Sequence, residues 1–289
     1  MRIGVVFPQT ESPSDPAELR RYATTVEQLG YTHLLAYDHV VGADPEVYEG
    51  WNGPYDIDST FHEPFVFFGH LAAVTTIELV TGIIILPQRQ TVLLAKQAAE
   101  VEILTGGRFR LGIGVGWNRV EYEALGKDFT TRGRRSATQI ELMRRLWTER
   151  TVDFDADGER VKGAGLAPLP VQQPIPVWFG AASPPAFRRA GQLGDGWFPQ
   201  VPPGRGLEEA QAIVHEAAAA AGRDPSQLGM EGRVSWGPDG VAKLVDQTGR
   251  WRDAGATHLS VNTMRADLTT LDAHLEVLTE VAQALHLEH

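Results

Sequence analysis

Hydrophobic positions along this chain follow two spacings in turn, one typical of strands and the other of helices. Eight short runs rich in β-branched and aromatic residues read as strands, at residues 3–7, 33–37, 79–86, 108–115, 176–180, 196–198, 230–236 and 258–262. Amphipathic stretches with helical spacing lie between most of them, at residues 16–29, 92–104, 134–147, 184–193, 207–221, 240–254 and 268–285. Strands that alternate with helices predict a parallel sheet. Eight of them in 289 residues predict an α/β fold, the closed (β/α)8 TIM barrel.

Two stretches interrupt the alternation. Residues 38–78 form an extended loop after the second strand, with a helical run only after His62. Residues 150–174 include an alternating strand pair around an Ala-Asp-Gly turn, which predicts a hairpin insertion before the fifth strand. Active sites of TIM barrels lie at the carboxyl ends of the strands, so we expect the first loop to cover that mouth as a lid. A surface excursion without function is the alternative.

Barrels of this size are routinely one domain. We therefore expect residues 1–286 to form a single domain and residues 287–289 to be the start of an expression tag.

Composition narrows the function. The chain is 43% hydrophobic and 22% charged, with a formal net charge of −11 and no cysteine. The absence of cysteine excludes thiolate nucleophiles, thiolate zinc sites and disulfides, and a cytoplasmic location is the default expectation. Nucleic acids and anionic membranes need basic surface, so we expect neither as a partner. No apolar run approaches 18 residues, and the chain starts directly with a strand, so we expect neither a membrane span nor a signal peptide.

The strand ends offer little hydrolytic chemistry. A metal-dependent hydrolase barrel would usually carry a His-x-His pair after the first strand, where this chain has Phe7-Pro8-Gln9, so we expect no metal. A retaining glycosidase needs two carboxylates at strand ends, and Asp38 stands there alone. The remaining strand-end residues are apolar, aromatic or glycine, which favours a pocket for a flat aromatic cofactor.

Two glycine-rich segments predict places where a ligand or another part of the chain can approach the backbone closely. Gly112, Gly114 and Gly116 alternate along the fourth strand and share one face, which admits either a tightly packed neighbour or a ligand. At the end of the fifth strand, residues 180–183 (Gly-Ala-Ala-Ser) precede a helix that starts with Pro184. This turn can cap the helix or bind a phosphate at the positive helix end, and the residues leave both roles open.

Several segments together resemble the bacterial luciferase-like monooxygenase superfamily, in particular its branch of coenzyme F420-dependent oxidoreductases. The matching segments are, in order, Asp38-His39, 81–87, 94–108, 111–118, 121–126, Arg132-Gly133, 174–180 and 193–197. The resemblance implies a TIM barrel without a metal and a homodimer whose contact lies along the second and third helices. It also implies hydride transfer between the deazaflavin coenzyme and a small organic substrate.

The resemblance assigns roles to particular residues. His39 matches the proton donor or acceptor beside the reactive ring, and Asp38 is its neighbour in the catalytic pair. The cofactor-binding positions that match are Ile84 and Ile85 at a strand bulge under the ring, Gly114, Val115, Gly116 and Trp117 along the fourth strand, and Gly180, Ala181 and Ala182 at the phosphate. Trp117 departs from relatives that act on sugar phosphates, which carry a carboxylate there.

Acid–base chemistry, net charge and aromatic content lead to further expectations about the site. The imidazole of His39 has a reference pKa near 6.5, so it can act as acid or base near neutral pH, and Asp38 could orient it. Arg89 is expected to meet an acidic tail of the cofactor, because a chain with charge −11 needs local basic groups for such a ligand. Tyr48, Trp51 and Tyr55 in the lid loop suggest an apolar or aromatic substrate. An FMN-dependent monooxygenase and a flavin-binding homologue without turnover remain the alternatives.

Overall fold

The computed structural model describes residues 1–11 and 15–287, so residues 288 and 289 of the expected tag lie outside it. The helices and strands are β1 (Arg2–Val6), α1 (Pro16–Gln28), β2 (His33–Ala36), α2 (Pro64–Leu71), β3 (Glu78–Thr81), β4 (Ile84–Ile85), α3 (Thr91–Leu104), β5 (Phe109–Gly114), α4 (Arg119–Ala124), α5 (Arg132–Thr148), β6 (Val152–Ala156), β7 (Glu159–Ala164), β8 (Val177–Ala181), α6 (Pro184–Leu193), β9 (Gly196–Pro199), α7 (Arg205–Ala220), β10 (Gly229–Ser235), α8 (Gly240–Asp253), β11 (His258–Asn262) and α9 (Leu271–Ala284).

The parallel strands close into a barrel. They pair in the order β1–β2–β3–β5–β8–β9–β10–β11, and β11 returns to β1. The short β4 follows β3 after a bend and also pairs with β5, so β3 and β4 together act as one barrel strand. The predicted (β/α)8 barrel is therefore confirmed. The antiparallel pair β6 and β7 forms a separate hairpin between α5 and β8.

Local sequence signals set the ends of the helices. The Asp15 side chain accepts a hydrogen bond of 2.9 Å from the backbone N–H of Ala17, and Pro16 occupies the first turn of α1. Gly30 after α1 and Gly255 after α8 have φ angles of 86° and 87°, which a residue with a Cβ rarely adopts. Each glycine turns the chain into the next barrel strand.

The core has two parts. One continuous hydrophobic cluster, extending in sequence from Ile3 to Ala282, packs the helices onto the barrel. A smaller cluster inside the barrel includes Val6, Leu35 and Phe198. Of the helices described, none combines the length and the apolar composition that crossing a bilayer requires.

Below this inner cluster lies a buried polar network. Arg110 Nη1 donates to Glu231 Oε2 at 2.7 Å, and its Nη2 donates to Glu78 Oε2 at 3.3 Å. His33 Nε2 lies 3.0 Å from Glu231 Oε1, and the Ser260 hydroxyl donates to the same oxygen. These residues come from five different strands, so the network fixes the arrangement of the strands around the barrel as well as neutralising buried charge.

The network shifts the pKa values of its members. Burial alone would raise the pKa of Glu231, but Arg110 and His33 outweigh it and hold this pKa well below its usual range. Burial, with the Arg110 charge added, lowers the pKa of the neighbouring His258 to about 3. Both groups therefore keep their neutral-pH charge state in the folded protein when the unfolded chain has begun to take up protons.

We expect the free energy of unfolding to fall as the pH is lowered from 7 to 5. Unfolded His258 binds a proton near its reference pKa of about 6.5, whereas folded His258 does not, so stability is lost progressively below that pH. The contribution of Glu231 is lost only below about pH 4.5, its unfolded pKa. Urea unfolding at both pH values measures the change.

The matched variant is His258→Gln, which removes the titrating group at the same place. Its loss of stability between pH 7 and 5 should be smaller than that of the wild type. Equal losses in the two proteins would show that His258 does not contribute.

Candidate active site

A cavity of about 510 Å³ opens at the carboxyl ends of the barrel strands. Its size lies within the range of small-molecule and cofactor sites. Pro54 and Tyr55, from the long segment between β2 and α2, are among its lining residues. Of the predicted site residues, Asp38, His39, Ile85, Gly114, Val115, Gly116, Trp117, Gly180, Ala181 and Ala182 line the cavity. Ile84 and Arg89 do not.

The glycine row on β5 accommodates the bend between β3 and β4. A Cβ on Gly112 would overlap the carbonyl oxygen of Thr81, and one on Gly114 would overlap Cδ1 of Ile83. Gly116 has a φ of 69°, and a Cβ there would lie 2.7 Å from Cγ2 of Ile85. The glycines are therefore packed closely against a neighbouring segment, the first of the two possibilities that the sequence left open, while Gly114 and Gly116 also line the cavity.

The bend turns two isoleucines toward the cavity. Ile83, which follows the cis Gly82–Ile83 peptide bond, and Ile85 both line it, with Gly114 and Gly180 beside Ile83. Ile84 is fully buried in the main hydrophobic cluster, because alternate residues of a strand point to opposite faces. The prediction for Ile84 is corrected accordingly: the apolar platform of the cavity consists of Ile83 and Ile85.

Asp38 holds this platform in place. Its Oδ2 accepts a hydrogen bond of 3.0 Å from the backbone N–H of Ile85, and its Oδ1 accepts one of 2.7 Å from Arg89 Nη2. Arg89 Nη1 donates to Glu63 Oε1 at 2.9 Å. The guanidinium is thus paired with two carboxylates and is not among the residues that line the cavity, so its position gives no support to the prediction that Arg89 meets a cofactor tail. Arg89 instead ties the end of β2 to β4 and to the start of α2.

His39 lies against the cavity wall with a side chain only 12% exposed. Burial lowers its pKa, and the nearby Glu121 and Asp38 carboxylates oppose that shift only in part. The imidazole is therefore neutral at neutral pH. Its ring centroid lies 4.7 Å from Phe61, 4.9 Å from Tyr55 and 5.8 Å from Trp117, so aromatic rings shield it from water.

The carboxylate beside the imidazole is Glu121, which the sequence reasoning missed as a site residue. Its Oε1 lies 3.8 Å from His39 Nδ1 and accepts a hydrogen bond from the backbone N–H of Val40. Its Oε2 accepts one of 3.0 Å from Gln88. Both oxygens of Asp38 are engaged elsewhere, so the expected orienting role passes to Glu121. An acidic residue three positions after Asn118, the N-cap of α4, was the available signal.

The part of the cavity wall that follows β8 suits an anion. Gly180, Ala181, Ala182 and Ser183 line it at the N-terminus of α6, and the hydroxyl of Ser183 makes no capping hydrogen bond there. Arg189 lies in a small adjoining pocket with Gly180, and within the described part of the chain no carboxylate pairs with it. Burial, and after it the charge of Arg132, lowers the pKa of Arg189. A helix N-terminus beside an unpaired guanidinium can bind a phosphate or carboxylate.

The residues that the structure describes contain no cluster of His, Cys, Asp and Glu side chains able to hold a metal ion. The cavity thus combines an apolar platform, a neutral imidazole with a carboxylate behind it, and the N-terminus of α6, with Arg189 in the small pocket beside it. These elements match the binding of a flat aromatic group with an acidic tail.

The chain is similar in sequence to a known protein family and to several of its members. The family model described as luciferase-like monooxygenase matches residues 1–239. An F420-dependent glucose-6-phosphate dehydrogenase of Gordonia bronchialis is 30% identical over 246 residues, which cover 81% of this chain and 68% of that protein. An uncharacterized protein of Mycobacterium tuberculosis is 32% identical over 249 residues, 83% of this chain and 85% of that protein.

Solved structures share the fold. An F420-dependent secondary alcohol dehydrogenase in complex with an F420-acetone adduct superimposes with a TM-score of 0.81 at 17% identity, covering 100% of this chain and 99% of that one. The monooxygenase RslO1 from Streptomyces bottropensis has a TM-score of 0.77 at 18% identity, with 99% of each chain covered. At these identities the likeness concerns the barrel alone.

The tie between Asp38 and Arg89 can be tested through stability. The Arg89→Gln variant leaves the buried Asp38 without its cationic partner, which should cost about 3–5 kcal/mol of unfolding free energy in urea. Arg205→Gln, which breaks an exposed pair with Glu209, should have a much smaller effect.

A second substitution tests whether the unpaired Asp38 charge causes the loss of stability. Adding Asp38→Asn to Arg89→Gln removes the uncompensated charge and should restore part of the lost stability. If Arg89→Gln unfolds at the same urea concentration as Arg205→Gln, the buried pair does not stabilise the platform as described.

Proposed function

This chain belongs to the luciferase-like monooxygenase family, and we propose that it is an oxidoreductase that uses coenzyme F420 to transfer a hydride to or from a small organic substrate. One observation carries the proposal: the apolar platform of Ile83 and Ile85 shares one cavity with a buried, neutral His39. The relative of 30% identity that is an F420-dependent dehydrogenase supports F420 as the cofactor.

The residues present fit this coenzyme. Ile83 and Ile85 would support the face of its flat ring, with Gly114, Val115 and Gly116 along one side. Its phosphate and acidic tail would reach the turn 180–183 and Arg189, where an uncompensated positive charge is available. When bound, the coenzyme supplies the hydride chemistry, and the protein supplies position, exclusion of water and a proton.

His39 moves the proton. Nδ1 faces the Glu121 carboxylate at 3.8 Å, which favours the tautomer with its hydrogen on Nδ1 and leaves Nε2 as the acceptor. Nε2 then takes up the proton released when an alcohol is oxidised, and it returns the proton when a carbonyl is reduced. Glu121 stabilises the imidazolium that forms, as carboxylates behind catalytic histidines do. Glu121 acts as a positioning residue, because it acts through His39.

The aromatic rings around His39 keep the reaction away from solvent. Tyr55 and Phe61 come from the lid segment and Trp117 from the end of β5, and Trp51 packs on Trp117 at a centroid distance of 5.7 Å. This wall favours an apolar or aromatic substrate body. Water exclusion also strengthens the electrostatic interaction between His39 and Glu121.

We also propose a homodimer through the outer face of α2 and α3. Four apolar side chains are exposed there, namely Val66 (73%), Leu93 (55%), Leu104 (52%) and Val92 (41%). Exposed apolar residues grouped on adjacent helices are typical of a protein interface.

The cofactor assignment is tested by titrating the purified, cofactor-free protein with F420 and with FMN. We expect F420 to bind with a dissociation constant in the micromolar range and FMN at least about tenfold more weakly. Tighter FMN binding with oxygen consumption would instead indicate the flavin-dependent monooxygenase. Binding of either cofactor without turnover on any carbonyl or alcohol of a broad panel would indicate a binding protein.

The role of His39 is tested with His39→Asn. We expect turnover with F420 to fall about 100-fold or more, because the proton donor is lost, while the F420 dissociation constant changes less than about threefold. His215→Asn, on the exposed side of α7, is the matched control and should keep wild-type turnover. Full activity of His39→Asn would remove the catalytic assignment.

The dimer is tested with Leu93→Asp. Multi-angle light scattering at micromolar concentration should give twice the monomer mass for the wild type and the monomer mass for this variant, because the aspartate places a charge in the apolar contact. Val245→Asp on α8 serves as the control and should remain dimeric. A monomeric wild type, or a dimeric Leu93→Asp protein, would contradict the proposed interface.

A further inference from the structure

The charged groups of the cavity are unequally compensated. Apart from His39, its lining carries three ionisable side chains with a charge at neutral pH: Asp38, Glu231 and Arg233. Asp38 is paired with Arg89, and Glu231 is held by Arg110.

Arg233 contacts neutral partners. Its Nη1 donates to the hydroxyl of Tyr37 at 2.9 Å, and its Nη2 lies 3.4 Å from the amide oxygen of Gln200. Among the described residues no carboxylate forms an ion pair with it. In a chain with a net charge of −11, the cavity wall thus carries one uncompensated guanidinium.

The position of Arg233 places this charge away from the cofactor end. It follows Glu231 by two residues on β10, so both side chains point into the barrel, with Arg233 nearer the mouth. Around the barrel, β10 lies opposite the bend between β3 and β4, which carries the platform. Tyr37, which holds the guanidinium, directly precedes Asp38 and His39. The turn 180–183 precedes α6, and Arg189 on that helix lies in a small pocket beside it, so the proposed site already has a helix N-terminus and one cation for an acidic cofactor tail.

We propose that Arg233 binds a carboxylate of the substrate, so that the substrate class is a small carboxylic acid with an apolar or aromatic body. This inference rests on the proposed function, since it assigns the platform side of the cavity to the coenzyme. The planar guanidinium retains N–H groups beyond those used by Tyr37 and Gln200, and its fork matches a carboxylate. The body of the acid would then lie among Tyr55, Trp117 and the coenzyme, within reach of His39.

Arg233 is exposed at the mouth of the cavity, and its two hydrogen-bond partners give the guanidinium a defined direction there. Tyr37 and Gln200 orient the guanidinium before the ligand arrives, which lowers the entropy lost on binding. Burial raises the pKa of Tyr37, although Arg233 opposes the shift, so the tyrosine remains a neutral hydroxyl and does not itself neutralise the arginine. The carboxylate of a ligand would complete the charge balance.

The test compares benzoate with benzamide, which have the same ring and nearly the same shape but differ in charge. Calorimetric titration is carried out on wild type, Arg233→Gln, Arg233→Lys and the control Arg252→Gln on the outer helix α8, each with and without saturating F420. We expect wild type to bind benzoate at least about tenfold more tightly than benzamide, because a charge-assisted pair is lost with the amide. Arg233→Gln should lose this preference, Arg233→Lys should keep part of it, and Arg252→Gln should behave as wild type.

The same titrations separate this inference from the proposed function. Loss of benzoate preference in Arg233→Gln with F420 affinity unchanged supports the assignment of Arg233 to the substrate. Weakened F420 binding in Arg233→Gln, with benzoate unaffected, would assign the guanidinium to the cofactor and overturn the inference. No preference for benzoate in an F420-binding wild type would also overturn it and leave the proposed function standing. An Arg233-dependent benzoate preference in a protein that does not bind F420 would uphold the anion site and refute the cofactor.

Discussion

The packing of Ile83 and Ile85 against the glycines of β5 is the contact on which the whole cavity depends. The chain can bend between β3 and β4 only because Gly112, Gly114 and Gly116 leave room for the Thr81 carbonyl and the two isoleucines. The bend supplies the apolar platform and exposes the backbone N–H of Ile85, which Asp38 binds. This hydrogen bond fixes the end of β2 against β4. His39 directly follows Asp38 in the sequence, so the bond also positions the imidazole. Platform and imidazole are thus held by one local arrangement.

Charge compensation decides which groups of the site remain free for chemistry. Asp38 is paired with Arg89, and Glu231 is paired with Arg110 and contacts His33, so both carboxylates are engaged in contacts that hold the barrel together. His39 is kept neutral by burial and faces Glu121, which leaves it as the group able to exchange a proton near neutral pH. Arg189 and Arg233, neither of which pairs with a carboxylate among the described residues, lie on α6 and β10, at different places around the barrel.

The sequence was sufficient for the barrel because periodicity and turn residues are local signals, and each helix and strand carries its own. It also located the strand ends that line the cavity, since carboxyl ends of parallel strands meet at one face. It failed where a side chain has a choice of partners. Arg89 was expected at the cofactor because of the net charge. In the structure it donates hydrogen bonds to Asp38 and Glu63, which are 51 and 26 residues away in the sequence. The resemblance placed Ile84 and Ile85 at the bulge and did not include Ile83, because the position of the bend within the strand depends on the glycines of β5. The position of Glu121 after the N-cap Asn118 marks a helix start but does not show that the carboxylate faces His39, and Arg233 reaches the cavity only because the barrel closes.

The most direct measurement is a crystal structure of the protein saturated with F420. We expect the flat ring in contact with Ile83 and Ile85, one edge toward His39, and the phosphate at the turn 180–183 near Arg189. Electron density for the ring on another surface, or an empty platform in crystals soaked at saturating F420, would contradict the assignment of this cavity to the coenzyme.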